Sequence, residues 1–433
     1  MANVDREILR LALPSVITNI TVPLLGMVDV AIVGHIGNAN YIAAIALATM
    51  IFNLIYWNFG FLRMGTSGLT AQAYGANDQQ EYLHILVRGM AIALSVAFLL
   101  LVLQYPIALL CKRLLKTSDT TLQLTLQYFY IRIWAAPATL GLYVLKGWFI
   151  GMQNAKTPMC IAILLNIVNI VCSLIFVFVF HTGIAGVAWG TVIAQYSGLI
   201  LAILLWLKYY GKLRHDIRIR ESLEWSKMVD FFKINTDIFL RSLCLIAVFT
   251  FIPYISAKMG DTVVAANTLL MQLFTLMSYI TDGFAYAGES LTGRFIGAHD
   301  EQSLHKHIQH LLLWGTGTAA FFTLLYATCG RGILHIFTND AEVIDEAMRY
   351  FVWVILMPFT GFAAFIYDGV YVGATASKPM LYTMLTATVC FFIGYYALTP
   401  HIGNHGLWIA FLLFLTLRGV QMFFLEKRYI RIP

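Results

Sequence analysis

Long apolar segments separated by short polar ones are the dominant pattern along this chain. A segment of about 20 apolar residues crosses the roughly 30 Å hydrocarbon core of a bilayer as an α-helix. Twelve segments reach that helical length, at residues 8–33, 42–70, 84–110, 124–152, 159–180, 184–208, 231–257, 263–296, 308–329, 347–374, 380–399 and 404–425. The pattern predicts an all-α polytopic membrane protein with twelve transmembrane helices.

The composition supports a membrane protein and argues against several soluble classes. Of 433 residues, 60% are hydrophobic and 12% are charged, whereas soluble domains have about 25% charged residues. The net charge of +6 is explained by basic residues in loops beside apolar segments, so we expect no nucleic-acid partner. The six cysteines are scattered without metal-ligand spacing, and we expect neither a metal nor a cofactor.

The distribution of basic residues predicts the orientation in the membrane. The longest polar connection, residues 208–233, contains seven basic and four acidic residues, and the C-terminus is also basic. The positive-inside rule places both, and the N-terminus with them, in the cytoplasm. Lys112, Arg113 and Lys116 are counter-evidence, because this topology puts them outside. The N-terminus lacks a cleavable signal, so we expect a retained first helix in the inner or plasma membrane.

An internal repeat with a period near 221 residues divides the chain into two halves. The segment LTAQAYGANDQQ from Leu69 aligns with LTGRFIGAHDEQ from Leu291 at an offset of 222. Pro137 aligns with Pro358 at an offset of 221. The density of identities within so short a segment indicates duplication rather than coincidence.

The repeat predicts three parts along the chain. These are an N-terminal six-helix lobe over 1–208, a basic cytoplasmic linker over 209–230 and a C-terminal six-helix lobe over 231–433. Because six is even, both lobes begin on the same face and are related by an axis along the membrane normal. Two such pseudo-symmetric bundles around a central cavity are the architecture of alternating access.

Asp29 is the most informative charged residue, because it lies in the first apolar segment. Between Ile8 and Val33 the one other charged residue is Arg10. An ionised carboxylate in the bilayer core costs about 2.5–3.5 kcal/mol on insertion scales, so its presence needs a reason. We favour a proton or substrate site over a structural acid paired with a neighbouring helix.

The surroundings of Asp29 can be anticipated from the sequence. Its own helix offers no charged partner one turn away, and Pro23 removes a backbone hydrogen bond and permits a bend. Asn166, Asn169 and Thr191, on the fifth and sixth helices, are candidate partners. They would order the acid without neutralising it, which suits proton and substrate coupling.

The second half contains more acids within apolar segments. Asp237 and Arg241 are four residues apart on one helix face and are predicted to form a structural pair. Asp368, Asp282 and Glu289 are candidates for a second ion or substrate site. Glycines beside them permit close helix contact, and bundle-stabilising hydrogen bonds are an equal alternative.

Several kinds of chemistry find no support. The chain has no G-x-x-x-x-G-K-[ST] and no G-x-G-x-x-G, so ATP drive is not indicated. No nucleophile, base and orienting group form a recognisable set, which disfavours an enzyme. The histidines around a loop of the second half are interpreted as solvated rather than metal-binding: His299, His305, His307 and His310.

These residues resemble a known family, the multidrug and toxic compound extrusion (MATE) transporters, and within it the DinF-like branch. The resemblance spans nearly the whole chain. Its carriers are LALPSVITNITVPLLGMVDVAIVGHIG, GLTAQAYGA, TDIFLRSL, DGFAYAGESLTG and DGVYVGAT. It implies two six-helix lobes forming a V and export of amphipathic, often cationic compounds against a proton or sodium flow. The first-helix acid of the family, which matches Asp29, is implicated in proton coupling.

Departures from the family pattern limit how far the roles of the family's residues apply to this chain. Leu25 and Ser173 stand where some relatives have a tyrosine and a second acid. Sodium-coupled relatives have an acid in the seventh helix and another in the tenth. Asp368 fits the tenth, but Arg241 in the seventh would repel a cation.

The sequence therefore predicts a proton-coupled antiporter that exports small amphipathic compounds. It is expected to be a monomer in contact with membrane lipids. A sodium-coupled exporter of the same family and a lipid-linked precursor flippase are the alternatives. The flippase alternative is not excluded, because three basic residues lie within apolar segments of the first half: Arg63, Arg132 and Lys146.

Overall fold

The computed structural model describes residues 2–34, 39–115 and 117–432, with the backbone alone at 2, 24, 25, 30, 33, 34, 39 and 230. Lys116 and the side chain of Leu25, used in the sequence predictions, lie outside this description. Within it, the regular elements are helices and no strand occurs. The α-helices are α1 Ala2–Gly34, α2 Ala39–Trp57, α3 Phe61–Gly75, α4 Gln79–Val102, α5 Gln104–Leu114, α6 Asp119–Arg132, α7 Ala136–Gly151, α8 Lys156–Leu174, α9 Ile184–Tyr210, α10 Ile219–Ser222, α11 Trp225–Met259, α12 Asp261–Gly297, α13 Glu301–Phe337, α14 Ala341–Gly373, α15 Ser377–Ile402 and α16 Asn404–Tyr429.

Twelve helical spans within the described residues are long and apolar enough to cross a membrane. The second span, Asn40–Gly75, joins α2 to α3. The fourth, Asp119–Gly151, joins α6 to α7 through a 3-10 turn at Ile133–Ala135. The prediction of an all-α protein with twelve transmembrane helices is confirmed, and the chain is a multi-pass membrane protein.

The internal repeat is also a repeat of backbone conformation. Positive φ is uncommon for residues with a side chain, so its recurrence at equivalent positions is informative. Three pairs share it, with φ between 53° and 61°: Asn77 and His299, Gln153 and Thr375, and Gly183 and Gly403. Their spacings of 222, 222 and 220 residues match the sequence offsets. Both halves therefore turn between helices in the same way.

Two equivalent aspartates of the repeat begin equivalent helices. Asp78 precedes α4, and its carboxylate accepts a hydrogen bond from the backbone N–H of Glu81 at 3.0 Å. Asp300 precedes α13 and accepts from the N–H of Ser303 at 3.0 Å. Each carboxylate satisfies a donor that the first helical turn leaves unpaired. The identity Asp78/Asp300 in the repeat is thus explained by helix capping.

The chain divides into two compact units. The N-terminal unit contains Ile17–Ala73 and Asp78–Phe231. The C-terminal unit contains Phe232 onward, Tyr74–Asn77 and the N-terminal stretch ending at Val16. This division differs from the predicted boundaries in three places. The stretch ending at Val16 and the segment Tyr74–Asn77 belong to the C-terminal unit, and the linker 209–230 belongs to the N-terminal unit.

The first turns of α1 join the C-terminal unit through acidic side chains. Asp5 accepts hydrogen bonds from His310 at 2.9 Å and from the indole of Trp314 at 3.0 Å, both on α13. Glu7 accepts from His307 at 3.2 Å. We call these contacts of Asp5 and Glu7 the N-terminal clamp. The prediction that this histidine group is solvated is wrong for His307, which is 6% exposed, because bonding to Glu7 allows its burial.

Helices α12 and α14 approach closely within the C-terminal unit. A Cβ on Gly369 would lie 2.0 Å from the carbonyl oxygen of Ala285, and one on Gly373 would lie 2.3 Å from that of Glu289. Only glycine, which has no Cβ atom, permits so close a contact between the two helices. The glycines beside Asp368 therefore bring its helix against the one that carries Glu289.

Candidate functional site

Asp29 lies in the part of α1 that belongs to the N-terminal unit. The residue is 8% exposed, and its Oδ1 atom has no hydrogen-bond partner in the described structure. Leaving a buried carboxylate oxygen unbonded costs free energy, and a proton on the carboxyl removes much of that cost. The burial and the unbonded oxygen together make Asp29 a group that can exchange a proton.

Arg132 is the positive charge that acts on Asp29. It lies at the end of α6 and forms no direct ion pair with Asp29 in the described structure. Its Nη1 donates a hydrogen bond to the hydroxyl of Tyr128 at 3.2 Å. Its guanidinium also lies 4.6 Å from the ring centre of Phe52 and 5.6 Å from that of Tyr128. Aromatic rings thus hold the cation near the acid without neutralising the acid directly.

Two of the predicted partners, Asn169 and Thr191, bond to each other. The Asn169 amide donates to the Thr191 hydroxyl at 3.0 Å, and that hydroxyl donates to the carbonyl of Val187 at 3.1 Å. The described hydrogen bonds thus join Asn169 to Thr191 and Arg132 to Tyr128, and none of these bonds reaches Asp29.

Asn166 has a different role from the one predicted. Its amide donates to the backbone carbonyl of Thr21 at 3.2 Å, two residues before Pro23. Proline has no N–H for the carbonyl four residues earlier, so this part of α1 has fewer internal bonds. α1 remains helical on both sides of Pro23. Asn166 therefore bonds the backbone of α1 close to Pro23, and the predicted bend at Pro23 remains a prediction.

In the C-terminal unit, Asp368 is held between two arginines. Its Oδ2 accepts hydrogen bonds from Arg241 on α11 and from Arg418 on α16, the latter at 2.6 Å. The three residues are 9%, 4% and 2% exposed. Two guanidinium groups against one carboxylate leave an excess of positive charge among these three side chains. Asp282 on α12 interacts electrostatically with Arg418 and offsets part of this positive charge.

The predicted pair of Asp237 with Arg241 needs correction. Among the described ion pairs, the carboxylate partner of Arg241 is Asp368. Asp237 instead accepts a hydrogen bond from Ser377 at 2.7 Å, at the first residue of α15, where a helix N-terminus favours negative charge. Helix spacing allows the predicted pair, but the long arginine side chain reaches a more buried carboxylate on another helix.

The remaining predicted residues of the second half are both on α12. Glu289 is 1% exposed, close to the contact with Gly373. Asp282 belongs to the group around Arg418. Within the described residues no three histidine, cysteine or acidic side chains are arranged to hold a metal ion.

Two residues of these clusters had no predicted role from the sequence. Tyr128 is an ordinary-looking tyrosine, although its spacing of four from Arg132 places the two on one face of α6. Arg418 is an intramembrane charge, but nothing in its own helix identifies Asp368 as its partner. Each of the two could have been identified from the sequence as a charged or polar residue within an apolar segment.

Comparison with known proteins shows where this architecture belongs. The MatE family model matches residues 14–175 and 238–396. DNA damage-inducible protein F of Escherichia coli K12 is 35% identical over 428 residues, which cover 99% of this chain and 93% of that protein. Multidrug resistance protein MdtK of Yersinia pseudotuberculosis is 21% identical over 433 residues, covering 96% of this chain and 94% of that protein.

Solved structures share the fold. The Vibrio cholerae MATE transporter VcmN, in its bent form, aligns with a TM-score of 0.88 at 17% identity, covering 99% of this chain and 97% of that chain. A MOP superfamily transporter from Pyrococcus furiosus aligns with a TM-score of 0.86 at 18% identity, covering 99% and 96%. The matched family segments contain Asp29 in one half and Asp368 in the other. With twelve membrane spans, a duplicated six-helix pattern and these matches, the chain belongs to the MatE family of multidrug and toxic compound extrusion transporters.

Proposed function

We propose that this chain is a secondary active antiporter that exports amphipathic, often cationic compounds in exchange for protons. Asp29 is the coupling group. Its burial in α1 and its unbonded Oδ1 are the observations that support this most directly. Membership of a family that includes multidrug efflux proteins supports the class of substrate.

The surroundings of Asp29 favour a proton over a metal cation as the coupling ion. A proton needs only one oxygen of the carboxyl group, whereas a sodium ion needs several oxygen ligands. Arg132 is close enough to act on Asp29 and would repel a metal cation. A cationic substrate and a proton would compete for the same carboxylate.

The alternative of sodium coupling at Asp368 has less support. Arg241 and Arg418 already occupy Oδ2 of that carboxylate. A sodium ion would have to displace a guanidinium or bind beside two of them, and both are electrostatically unfavourable. We therefore assign Asp368 to the internal charge balance of the C-terminal unit.

The proposed cycle follows from this chemistry. Outside protons neutralise Asp29, weaken the binding of a cationic compound and release it, and loss of the proton on the inside restores binding. Exchange of one proton for one singly charged cation moves no net charge across the membrane, so the pH difference drives it. A difference of one pH unit is worth about 1.4 kcal/mol, equivalent to about tenfold accumulation.

The test is efflux of a fluorescent cation from liposomes containing the purified protein. One arm has a pH gradient alone, and the other has a sodium gradient alone. We expect transport in the pH arm and its loss in Asp29→Asn, with folding intact. Asp237→Asn is the matched control, because this acid belongs to the C-terminal unit, where it bonds to Ser377, and it should transport normally.

Each possible failure has a distinct meaning. Normal pH-driven transport by Asp29→Asn would contradict the coupling role of that residue. Transport driven only by sodium would contradict proton coupling. Movement of labelled lipid between leaflets, without export of the cation, would favour the flippase.

A further inference from the structure

The linker between α9 and α11 is folded onto the N-terminal unit. It contains a 3-10 helix, Gly211–Asp216, and the short α10. Arg88 on α4, 3% exposed, donates from Nε to the carbonyl of Ser222 at 2.7 Å. Its Nη1 bonds Glu81 at 2.7 Å, which fixes the guanidinium in place. The linker therefore has a buried attachment point.

The Ser222 side chain reinforces this attachment. Its hydroxyl donates to the carbonyl of Arg218 at 2.7 Å and lies 2.7 Å from Nδ1 of His84. Because the hydroxyl proton is already donated, His84 must donate from Nδ1. Asp216, earlier in the linker, accepts from Gln79 at 2.8 Å. These contacts hold the linker along the first turns of α4.

The other side of the linker presents large apolar side chains. Ile219 is 62% exposed, Leu223 is 41% exposed and Trp225 is 78% exposed, although Ser222 between them is buried. Trp225 is also the first residue of the membrane-spanning α11. Tryptophan at the end of a span is typical of the membrane–water interface, where its ring is partly apolar and partly polar.

Basic side chains without acidic partners accompany these apolar groups. Two acids of the linker already have partners: Asp216 accepts a hydrogen bond from Gln79, and Glu221 forms an ion pair with Arg218 at 3.2 Å. In the described structure, four exposed bases from the last turn of α9 to the start of α11 have no carboxylate partner: Lys208, Lys212, Arg214 and Arg220. The surface is therefore positively charged.

We propose that this linker surface binds the headgroups of anionic phospholipids in the bilayer that α9 and α11 cross. Lys212, Arg214 and Arg220 contact the phosphate groups, and Ile219 and Trp225 enter the boundary between headgroups and acyl chains. This surface lies outside the transport chemistry proposed for Asp29, and the inference stands without it.

Three features select a lipid as the occupant. The linker continues directly from one membrane span into another, which places it at the membrane surface. Apolar side chains beside bases form the pattern by which interfacial segments bind anionic bilayers. The attachment through Arg88 and His84 removes the conformational freedom that a mobile loop would lose on binding.

The test compares two double variants of the full-length protein in nanodiscs of zwitterionic lipid. A fluorescent anionic phospholipid is titrated in and detected by energy transfer from tryptophan. The first double variant, Lys212→Gln with Arg220→Gln, removes two linker bases. Each base contributes about fivefold to the affinity for the anionic lipid, so we expect the binding of that lipid to weaken about 25-fold. The matched control is Lys112→Gln with Arg113→Gln, which removes one lysine and one arginine that are exposed at the end of α5. The control should bind like the unaltered protein.

A second readout tests the position of Trp225. Brominated acyl chains quench indole fluorescence at short range, so the unaltered protein should show quenching that Trp225→Phe lacks. Equal weakening in both double variants, or in neither, would overturn the proposal. Absence of quenching attributable to Trp225 would overturn the interfacial position of the linker.

Discussion

Asp29 and Asp368 are both buried carboxylates in membrane-spanning helices, but their surroundings are opposite. Oδ2 of Asp368 accepts hydrogen bonds from two guanidinium groups, whereas Oδ1 of Asp29 has no bond in the described structure. Arg132, which interacts electrostatically with Asp29, lies over the ring of Phe52. A buried carboxylate bonded to two guanidinium groups has its charge compensated, whereas a buried oxygen without a bond is left uncompensated. Asp368 is therefore part of a cluster of ion pairs, whereas Asp29 is the acid that we propose as the coupling group.

Removal of the Asp368 charge should destabilise the protein. Asp368→Asn leaves Arg241 and Arg418 buried without their carboxylate, which costs about 3–5 kcal/mol in pairs of this kind. We expect a lower apparent melting temperature in detergent. Adding Arg418→Met to that variant should recover part of the loss, because one of the uncompensated charges is removed. Unchanged melting of Asp368→Asn would show that this group of charges contributes little.

At the scale of helices, the repeat conserves turn geometry more closely than side-chain chemistry. Asn77 and His299, or Gln153 and Thr375, share positive φ while differing in chemistry. By contrast, Asp78 and Asp300 are identical, because capping requires an acceptor at that position. The two halves are thus most alike at positions where the backbone needs a particular turn conformation or a capping acceptor.

The cap of α13 should make stability depend on pH. Bonds from the hydroxyl and N–H of Ser303 lower the pKa of Asp300 from its ordinary value of 3.8. The cap therefore contributes fully above pH 3.8, and its contribution is lost as the pH falls through the lower pKa of the folded state. Asp300→Ala should cost about 1 kcal/mol at neutral pH.

Asp300→Asn is the control for this effect, because asparagine caps well but does not titrate in the acid range. Its melting temperature should stay near that of the unaltered protein at neutral pH and fall less steeply below pH 3.8. The prediction fails if acid lowers the melting temperature of both proteins equally.

At the scale of the whole chain, the first helix belongs to both units. Its N-terminal turns are bonded to α13 through the N-terminal clamp, and its later turns carry Asp29 in the N-terminal unit. A single helix therefore connects the anchored end with the proposed coupling acid.

Loss of the clamp should loosen the beginning of α1. Asp5→Asn with Glu7→Gln removes both carboxylate charges that the histidines of α13 contact. Hydrogen exchange at the amides of residues 3–16 should become faster, while exchange in α14 stays unchanged. Exchange that remains slow throughout α1 would show that apolar packing alone holds this segment.

The fold was predictable from the sequence, because span length and the repeat are local properties of the chain. Asp29 was predictable for the same reason, as a lone acid in an apolar segment. The partner of Arg241 was not, because helix spacing reveals Asp237 but not a carboxylate 127 positions away. Nor did Asn166 follow from its sequence position, because its bond is to a backbone carbonyl, which every residue possesses.

Two of the boundaries between the units fall inside helices, at Val16 in α1 and at Phe231 in α11. A loop can absorb displacement by rotating a few backbone bonds, whereas a helix resists bending because each turn is tied to the next. At both of these points the units are therefore joined by continuous helical backbone rather than by a flexible loop, and the chain cannot change direction there without bending a helix.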